Sequence, residues 1–132
     1  MDYRSLFGRL HQRPQMYGID GSYGQFCAFL HGVDAGNDGQ LLVGFRESLV
    51  VQVGTGDNLN WPSLLLHVSF PGVNGGFGAI LVEPANEQLA VDTLFSLLDE
   101  FLERRTGSRA LAEIFDEYLT WLRAQSWYRP PS

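Results

Sequence analysis

Cys27 and His31 are the residues whose types and spacing come closest to a catalytic pair. They lie four residues apart in a segment that predicts a helix, so both would share one helical face, where a thiolate and an imidazole can interact. Free cysteine is, however, among the most buried residue types, and no Asn or Asp is placed to orient His31. An enzyme that uses Cys27 is therefore the least favoured hypothesis, and we predict that the chain is not an enzyme.

Patterns that bind metals or phosphates are absent from the sequence. The three histidines form neither HxxxH nor HExxH, and a single cysteine can build neither a thiolate cluster nor an internal disulfide. The segment VGTGDN contains Gly-x-Gly, but no GxGxxG motif opens a helix, and a GKS or GKT motif needs lysine, which the chain lacks. We predict neither a metal site nor a cofactor.

The RPQMYG segment, residues 13–18, resembles the RPGMYIG segment of type II topoisomerase ATPase domains, so a nucleotide site has to be considered. That fold needs a following helix with a Glu that activates water and an Asn that holds magnesium. The helix that follows here reads GQFCAFLHGV and contains neither, and VDAGNDG comes too soon to be the adenine motif. We interpret the segment as a structural corner, in which Pro14 ends one helix while Met16 and Tyr17 pack the next helix against it.

Acidic residues are concentrated in the C-terminal part of the chain. The formal net charge is −6, and nine of the fifteen acidic residues lie between residues 83 and 117. Helical spacing places Asp92, Asp99 and Glu103 on one face, with Glu100 beside them. Such a face is either a solvated outer surface or a docking surface that attracts a basic protein partner. The acidic balance and the lack of a basic patch argue against nonspecific nucleic-acid binding.

The chain length of 132 residues fits one domain, which we place at residues 1–128 with a loose tail at 129–132. No uncharged apolar run approaches the roughly 20 residues that span a bilayer, and the N-terminal segment lacks the apolar core of a signal peptide. Together with the single cysteine, these features predict a cytoplasmic protein that does not bind membranes.

Local signals predict several helices and their ends. Pro14 ends a first helix near Gln12, because a proline disfavours the helical conformation of the residue before it. Ser22 is placed to cap a second helix that stops at Gly36. Asn60 is placed to cap the helix WPSLLLHVSF, which stops at the following proline.

The C-terminal part predicts two more helices. The first runs from Asn86 to near Gly107, and the second is capped by Ser108. The residues of the last helix that we expect to face inward are Leu111, Ile114, Phe115, Tyr118 and Leu122.

Two segments have ambiguous patterns. Residues 41–53 fit the apolar face of a helix and also the alternation of a strand. Residues 72–85 are rich in glycine and contain the apolar run GAILV, which suits a short strand or a packed loop. Periodicity alone leaves an α+β fold open, with a small antiparallel sheet from 41–53, 64–70 and 78–83.

The order of several short motifs resembles that of small bacterial immunity-like proteins of polymorphic-toxin and contact-dependent inhibition systems. The motifs are RPxMY, FLxG, FxE, a tryptophan that opens the next helix, and a closing helix with LLDEF. The matching residues are Arg13, Pro14, Met16, Tyr17, Phe29, Leu30, Gly32, Phe45, Glu47 and Trp61, followed by AVDTLFSLLDEFLERR. The resemblance implies that 41–53 is helical, so we predict a mainly α fold. Its form would be a single-domain bundle of about five to six helices that can include a short β element near 77–83.

The resemblance also implies a function. Immunity proteins bind a cognate toxin and block it by occlusion, so the leading hypothesis is a non-enzymatic protein that binds a basic toxin domain through the acidic face around Asp99 and Glu103. The alternative hypothesis is a small-molecule-binding or regulatory domain. Its pocket would be lined by the aromatic residues Tyr17, Tyr23, Phe26 and Trp61.

Overall fold

The computed structural model describes residues 1–131, which form seven α-helices. In chain order they are α1 Tyr3–Gln12, α2 Tyr23–Gly36, α3 Phe45–Val53, α4 Trp61–Ser69, α5 Phe77–Ile80, α6 Pro84–Arg104 and α7 Ala110–Arg123. A 3-10 turn at Pro14–Tyr17 joins α1 to α2. The described residues contain no β-strand, so the mainly α prediction is confirmed, with slightly more helices than the expected five to six.

Side-chain caps begin three of the helices. The carboxylate of Asp2, the hydroxyl of Ser22 and the amide oxygen of Asn60 each accept a hydrogen bond from the backbone N–H three residues later. These bonds satisfy backbone donors that have no partner inside the helix. The predicted caps at Ser22 and Asn60 are therefore confirmed, as is the end of α1 at Gln12.

Residues 41–53 divide into a turn and a helix. Gly44 has a φ of +92°, a left-handed conformation that glycine adopts without strain, and α3 begins directly after it. The turn before it is fixed by Arg105, whose Nη1 donates to the backbone oxygens of Leu41 and Val43 at 2.9 and 3.0 Å. The helical prediction is confirmed from Phe45 onward, and the alternative strand at 41–53 is wrong.

The segment near 77–83, where a short β element was expected, forms the single helical turn α5 and a following bend. Gly76, with a φ of +73°, begins the turn, and the side-chain amide of Asn86 donates to the backbone oxygen of Ile80 at 3.1 Å. A strand there would need a neighbouring strand to pair with. Because 41–53 and 64–70 form helical segments instead, none is available, and the β expectation is wrong.

The last helix begins later than the sequence suggested. Ser108 lies in a turn, in which Gly107 donates to Arg104 O and Ala110 donates to Gly107 O, and α7 begins at Ala110 without a side-chain cap. The prediction of Ser108 as cap is therefore wrong, because backbone hydrogen bonds of the turn carry the chain into the helix. Of the residues expected to face inward, Ile114 is fully buried. The others, Leu111, Phe115, Tyr118 and Leu122, are half-buried.

The core is centred on α6, which packs against α1, α2 and α4, while α3 packs against α4 and α7. Buried residues line one stripe of α6 at Ala90, Val91, Leu94, Phe95, Leu98, Phe101 and Leu102. Two aromatic contacts join this stripe to other helices: the Phe26 and Phe95 ring centroids are 4.9 Å apart, and those of Phe45 and Phe101 are 5.1 Å apart. The opposite side of α6 is thereby left to solvent.

The predicted tail at 129–132 is exposed at residues 129–131, beyond the end of α7, and Ser132 lies outside the described residues.

Candidate functional site

The RPQMYG corner is a 3-10 turn with two different faces. Pro14 is buried and Tyr17, three residues later, is half-buried with its ring 5.9 Å from that of Phe29 in an edge-on contact. Met16 is 74% exposed, so the expectation that Met16 packs α2 against the corner is wrong. A 3-10 helix has three residues per turn, which places Pro14 and Tyr17 on the inner side and Met16 on the outer side. Arg13 is exposed at the end of α1.

The Cys27 thiol lies in the core, whereas His31 lies at the surface. Cys27 is 6% exposed, and burial raises the pKa of its thiol to about 11. The ring of His31 lies 4.9 Å from that of Trp61 and is otherwise exposed to solvent. A thiol with this pKa is almost fully protonated near neutral pH, so the structure provides no activated nucleophile at this position.

The aromatic residues considered as a ligand pocket fill the core instead. Tyr23, Phe26 and Trp61 are 4%, 2% and 7% exposed. The hydroxyl of Tyr23 donates to the backbone oxygen of Pro62 at 2.6 Å, and the rings of Phe45 and Trp61 lie 5.5 Å apart. These contacts hold α2, α3 and α4 together. Of the other motif residues, Gly32 is exposed on α2.

The carboxylate of Asp99, on the side of α6 that faces α1, is held by Arg4 of α1. Arg4 Nε donates to Asp99 Oδ1 at 2.7 Å and Nη2 donates to Oδ2 at 3.0 Å, while Nη2 also lies 3.8 Å from Glu103 Oε2. These hydrogen bonds, with the positive charge of Arg4, lower the pKa of Asp99 below its ordinary value. Asp99 is therefore charged and oriented while its side chain stays 53% exposed.

Asp92 forms a second, similar pair two helical turns earlier on α6. Its Oδ1 lies 3.1 Å from Nε2 of His11 and accepts a hydrogen bond from the side-chain amide of Gln88 at 2.8 Å. Since a carboxylate only accepts, Nε2 of His11 carries the proton in this contact. The His11 ring stacks on Phe95 at 4.4 Å with an interplanar angle of 7°, which fixes its orientation.

The two pairs enclose an open groove of about 310 Å³ between α1 and α6, which we call the α1–α6 groove. Its floor is apolar and its rim is polar. The lining residues are Arg4, Phe7, Gly8, His11, Asp92, Phe95, Ser96, Leu98, Asp99 and Leu102. The structure thus brings Asp92 and Asp99 to one groove, with Glu103 near Arg4 on the same side. Glu100 lines a different hollow, of about 260 Å³, between α6 and α3.

The charge of the molecule is distributed unevenly. Nine of the fifteen acidic residues but only three of the nine arginines lie between residues 83 and 117, so the rest of the chain carries six of each. The excess negative charge therefore belongs to residues 83–117, which comprise Glu83, α6, the turn after it and the first half of α7. Asp92, Asp99, Glu100 and Glu103 are all exposed there.

A second polar cluster was not foreseen from the sequence. Arg46 on α3 donates to the backbone oxygens of Asp57 and Leu59 and to the carboxylate of Glu47, and the hydroxyl of Tyr118 on α7 donates to the Asp57 carboxylate. Burial, followed by this last hydrogen bond, raises the pKa of Tyr118. The cluster fastens α7 to the loop before α4. The Arg46-Glu47 pair was visible as neighbouring charges, but no local signal indicated Asp57 or Tyr118.

Two further findings concern the described part of the chain. Within residues 1–131, no group of three or more His, Cys, Asp or Glu side chains is arranged to hold a metal ion. None of the described helices combines the length and the apolar composition that crossing a bilayer requires.

Comparison with known proteins gave no match to a protein-family model, a curated protein or a solved structure.

Proposed function

We propose that this chain is a non-enzymatic, immunity-like protein that binds a basic protein partner, such as a toxin domain, and blocks it by occlusion. The observation that carries the proposal is that three exposed carboxylates, those of Asp92, Asp99 and Glu103, lie on the side of α6 that faces α1, in the part of the sequence that holds the excess negative charge. The motif order that resembles immunity-like proteins supports the same proposal. Because the single cysteine is compatible with a reducing compartment, we also propose a cytoplasmic location.

Electrostatics gives this surface its expected role. A cluster of like charges speeds the encounter with a basic partner and disfavours acidic competitors, and salt screens both effects. The hydrogen bonds from Arg4 orient the Asp99 carboxylate before a partner arrives, so less side-chain freedom is lost on binding. An inhibitor that works by covering its target needs no reactive group of its own.

The test is affinity capture from a native host lysate with the tagged protein, at about 50 mM and about 500 mM salt. We expect one stoichiometric basic protein, identified by mass spectrometry, that is lost at the higher salt concentration. When that protein is expressed alone it should arrest growth, and co-expression of this chain should restore growth. Capture without any inhibition of growth would contradict the immunity role.

Matched charge variants locate the surface. Asp99→Arg combined with Glu103→Arg should reduce capture about ten-fold or more, because two exposed carboxylates of α6 become positive. Glu113→Arg combined with Asp116→Arg makes the same change in net charge on α7 and should reduce capture less. Equal losses in the two variants would show a general charge effect and remove the carboxylates of Asp99 and Glu103 from the proposal. Thermal unfolding checks that each variant is folded.

A second candidate function, the binding of a small molecule, is favoured by one observation. The α1–α6 groove has an apolar floor with polar groups at its rim, and its volume of about 310 Å³ is at the lower end of the range for ligand sites. A ligand-observed NMR screen of small aromatic compounds would test this candidate. Compounds that bind the native chain but are displaced by the captured protein partner would show that the groove serves the protein interaction instead.

A further inference from the structure

We infer that the α1–α6 groove receives one bulky apolar side chain from a basic partner segment, whose flanking arginine or lysine residues reach Asp92 and Asp99. This inference deepens the proposed function and rests on it, since it names the part of the partner that docks. The occupant is thus a protein segment with an apolar residue between basic ones.

The floor of the groove is suited to an apolar anchor. Phe7, Phe95, Leu98 and Leu102 lie at its base and are between 1% and 8% exposed, so each presents only a small part of its surface to the groove. Side chains that dock in such pockets gain from desolvation, and the partner residues that dominate binding energies are commonly Trp, Tyr or Arg. A volume of about 310 Å³ suits one such side chain better than a large cofactor.

The opening between the helices depends on two small residues. Gly8 on α1 and Ser96 on α6 line the groove, and a Cβ added at Gly8 would meet no other atom within 4 Å. Gly8 has no left-handed conformation to explain it, and glycine within a helix is less favourable than alanine. The fold itself therefore does not require glycine at this position, and a large side chain there would occupy space at the groove that Gly8 lines.

The acidic rim of the groove favours a partner segment with basic residues. Asp92 and Asp99 are seven residues apart on α6, which corresponds to roughly 10 Å along a helix. Their side chains are 55% and 53% exposed, and each has an intramolecular partner from α1 that leaves it accessible to solvent. With Glu103 nearby, the carboxylates at the groove outnumber the single guanidinium of Arg4. An apolar residue flanked by basic residues complements this arrangement, whereas one flanked by acidic residues is repelled.

Three synthetic peptides test the inference by NMR titration of the isotope-labelled full chain. The probe is acetyl-Arg-Arg-Trp-Arg-Arg-amide, and its comparisons replace the tryptophan by glycine or all four arginines by glutamate. We expect the first peptide to bind about ten-fold or more tightly than either comparison, because each lacks one of the two contributions. The amide signals of Gly8 and Ser96 should shift on binding.

Filling the groove should remove the difference in affinity between the tryptophan and glycine peptides. Gly8→Leu adds a side chain where the groove is open and should also favour the helix, and Ser96→Leu fills the groove from the opposite wall. Each should bring the affinity for the tryptophan peptide down to that for the glycine peptide. Gly32→Leu is the matched control, because Gly32 also lies within a helix, is exposed and has open space around it, but belongs to α2 and does not line the groove.

Two results would overturn the inference: equal affinities for the tryptophan and glycine peptides, or undiminished discrimination in both Gly8→Leu and Ser96→Leu. Either would leave the proposed function standing if lysate capture still depended on Asp99 and Glu103. The opposite combination is also distinguishable. If both groove variants abolish the preference for the tryptophan peptide but the chain captures no basic protein from the lysate, the groove is supported and the proposed function is contradicted. Equal affinities for the tryptophan peptide with arginine and with glutamate would overturn the charge selection alone.

Discussion

Arg4 and Asp99 form a two-pronged pair that joins the N-terminal helix to the longest helix, with donor-acceptor distances of 2.7 and 3.0 Å between residues 95 positions apart. Bidentate arginine-carboxylate geometry is the most directional ion pair that side chains can form. Both side chains remain substantially exposed, so Asp99 belongs at once to the contact between α1 and α6 and to the acidic surface. This double role connects the fold to the proposed docking site.

The pair gives a prediction for acid pH. Because hydrogen bonds from Arg4 lower the pKa of Asp99 in the folded state, the pair stabilises the fold above the ordinary aspartate pKa, and this contribution is lost as pH falls through the lowered value. Arg4→Gln should return the Asp99 pKa toward its ordinary value, as measured by an NMR titration of the side-chain carboxyl. Arg13→Gln removes an exposed arginine elsewhere and should leave the titration unchanged. An Asp99 pKa that is the same with and without Arg4 would contradict the pair.

The contact between Tyr118 and Asp57 predicts how α7 is attached. Tyr118→Phe removes the hydroxyl that donates to Asp57 and should lower the free energy of unfolding by about 0.5–1.5 kcal/mol. Hydrogen exchange of the α7 amides should quicken by a corresponding factor. Tyr128→Phe is the control, since the Tyr128 hydroxyl makes no hydrogen bond to another described residue. If both variants behave alike, the contact does not stabilise α7.

Ile114 is the main anchor of α7 in the core. It is fully buried, whereas Leu119, five residues later on the same helix, is 37% exposed. Ile114→Ala should lower the free energy of unfolding by about 2–5 kcal/mol, because it removes buried methyl groups and leaves a cavity. Leu119→Ala should change it by about 0.5 kcal/mol or less. Chemical denaturation followed by tryptophan fluorescence measures both, and similar losses would mean that α7 packs in a different orientation.

Gly44 sets the start of α3 and lies against α7. Its φ is +92°, and an added Cβ would come within 3.1 Å of Leu111 Cδ2 and 3.4 Å of Ile114 Cγ2. Gly44→Ala should therefore destabilise the fold by about 1–3 kcal/mol, through backbone strain and crowding. Gly36→Ala, at the end of α2 with open space around it, should be neutral or stabilise by up to about 1 kcal/mol. The two variants are compared by thermal unfolding, and a stable Gly44→Ala protein would show that the turn can rearrange.

The environment of Cys27 predicts its reactivity. Since the thiol is buried and its pKa is raised to about 11, native protein should react with iodoacetamide at about pH 8 at least roughly a hundred-fold more slowly than the denatured chain. Mass spectrometry of samples quenched over time measures the two rates. Rapid modification of the native protein would instead indicate an accessible thiolate and would reopen the enzyme hypothesis.

Sequence reasoning succeeded where the signal was local. The caps at Ser22 and Asn60 and the end of α1 before Pro14 each depend on a few neighbouring residues, so they could be predicted from the chain alone. Residues 77–83 were misjudged because a short apolar run suits a strand, a helical turn or a loop equally well. The position of Met16 was predicted wrongly because the corner is a 3-10 turn, in which side chains point in different directions from those of an α-helix.

At the candidate site, too, local spacing could be predicted from the sequence and long-range contacts could not. Spacing predicted that Asp92, Asp99 and Glu103 share one face of a helix, and the structure places them there. The spacing did not predict that Arg4 and His11 of α1 would contact these carboxylates. Contacts between residues 81 and 95 positions apart depend on how whole helices pack, and charged residues carry no pattern that names their distant partners.

The sequence by itself determined where α1 ends, where α2 and α4 begin, and that the negative charge is concentrated in the C-terminal part, because these features follow from local hydrogen bonding and composition. Only the tertiary structure decided which helix lies beside the acidic face, that the predicted aromatic pocket is filled, and that a groove with small residues on α1 and α6 lies between the Arg4–Asp99 and His11–Asp92 contacts. Those features follow from the packing of side chains of particular sizes between helices far apart in the chain, which is set by the core as a whole.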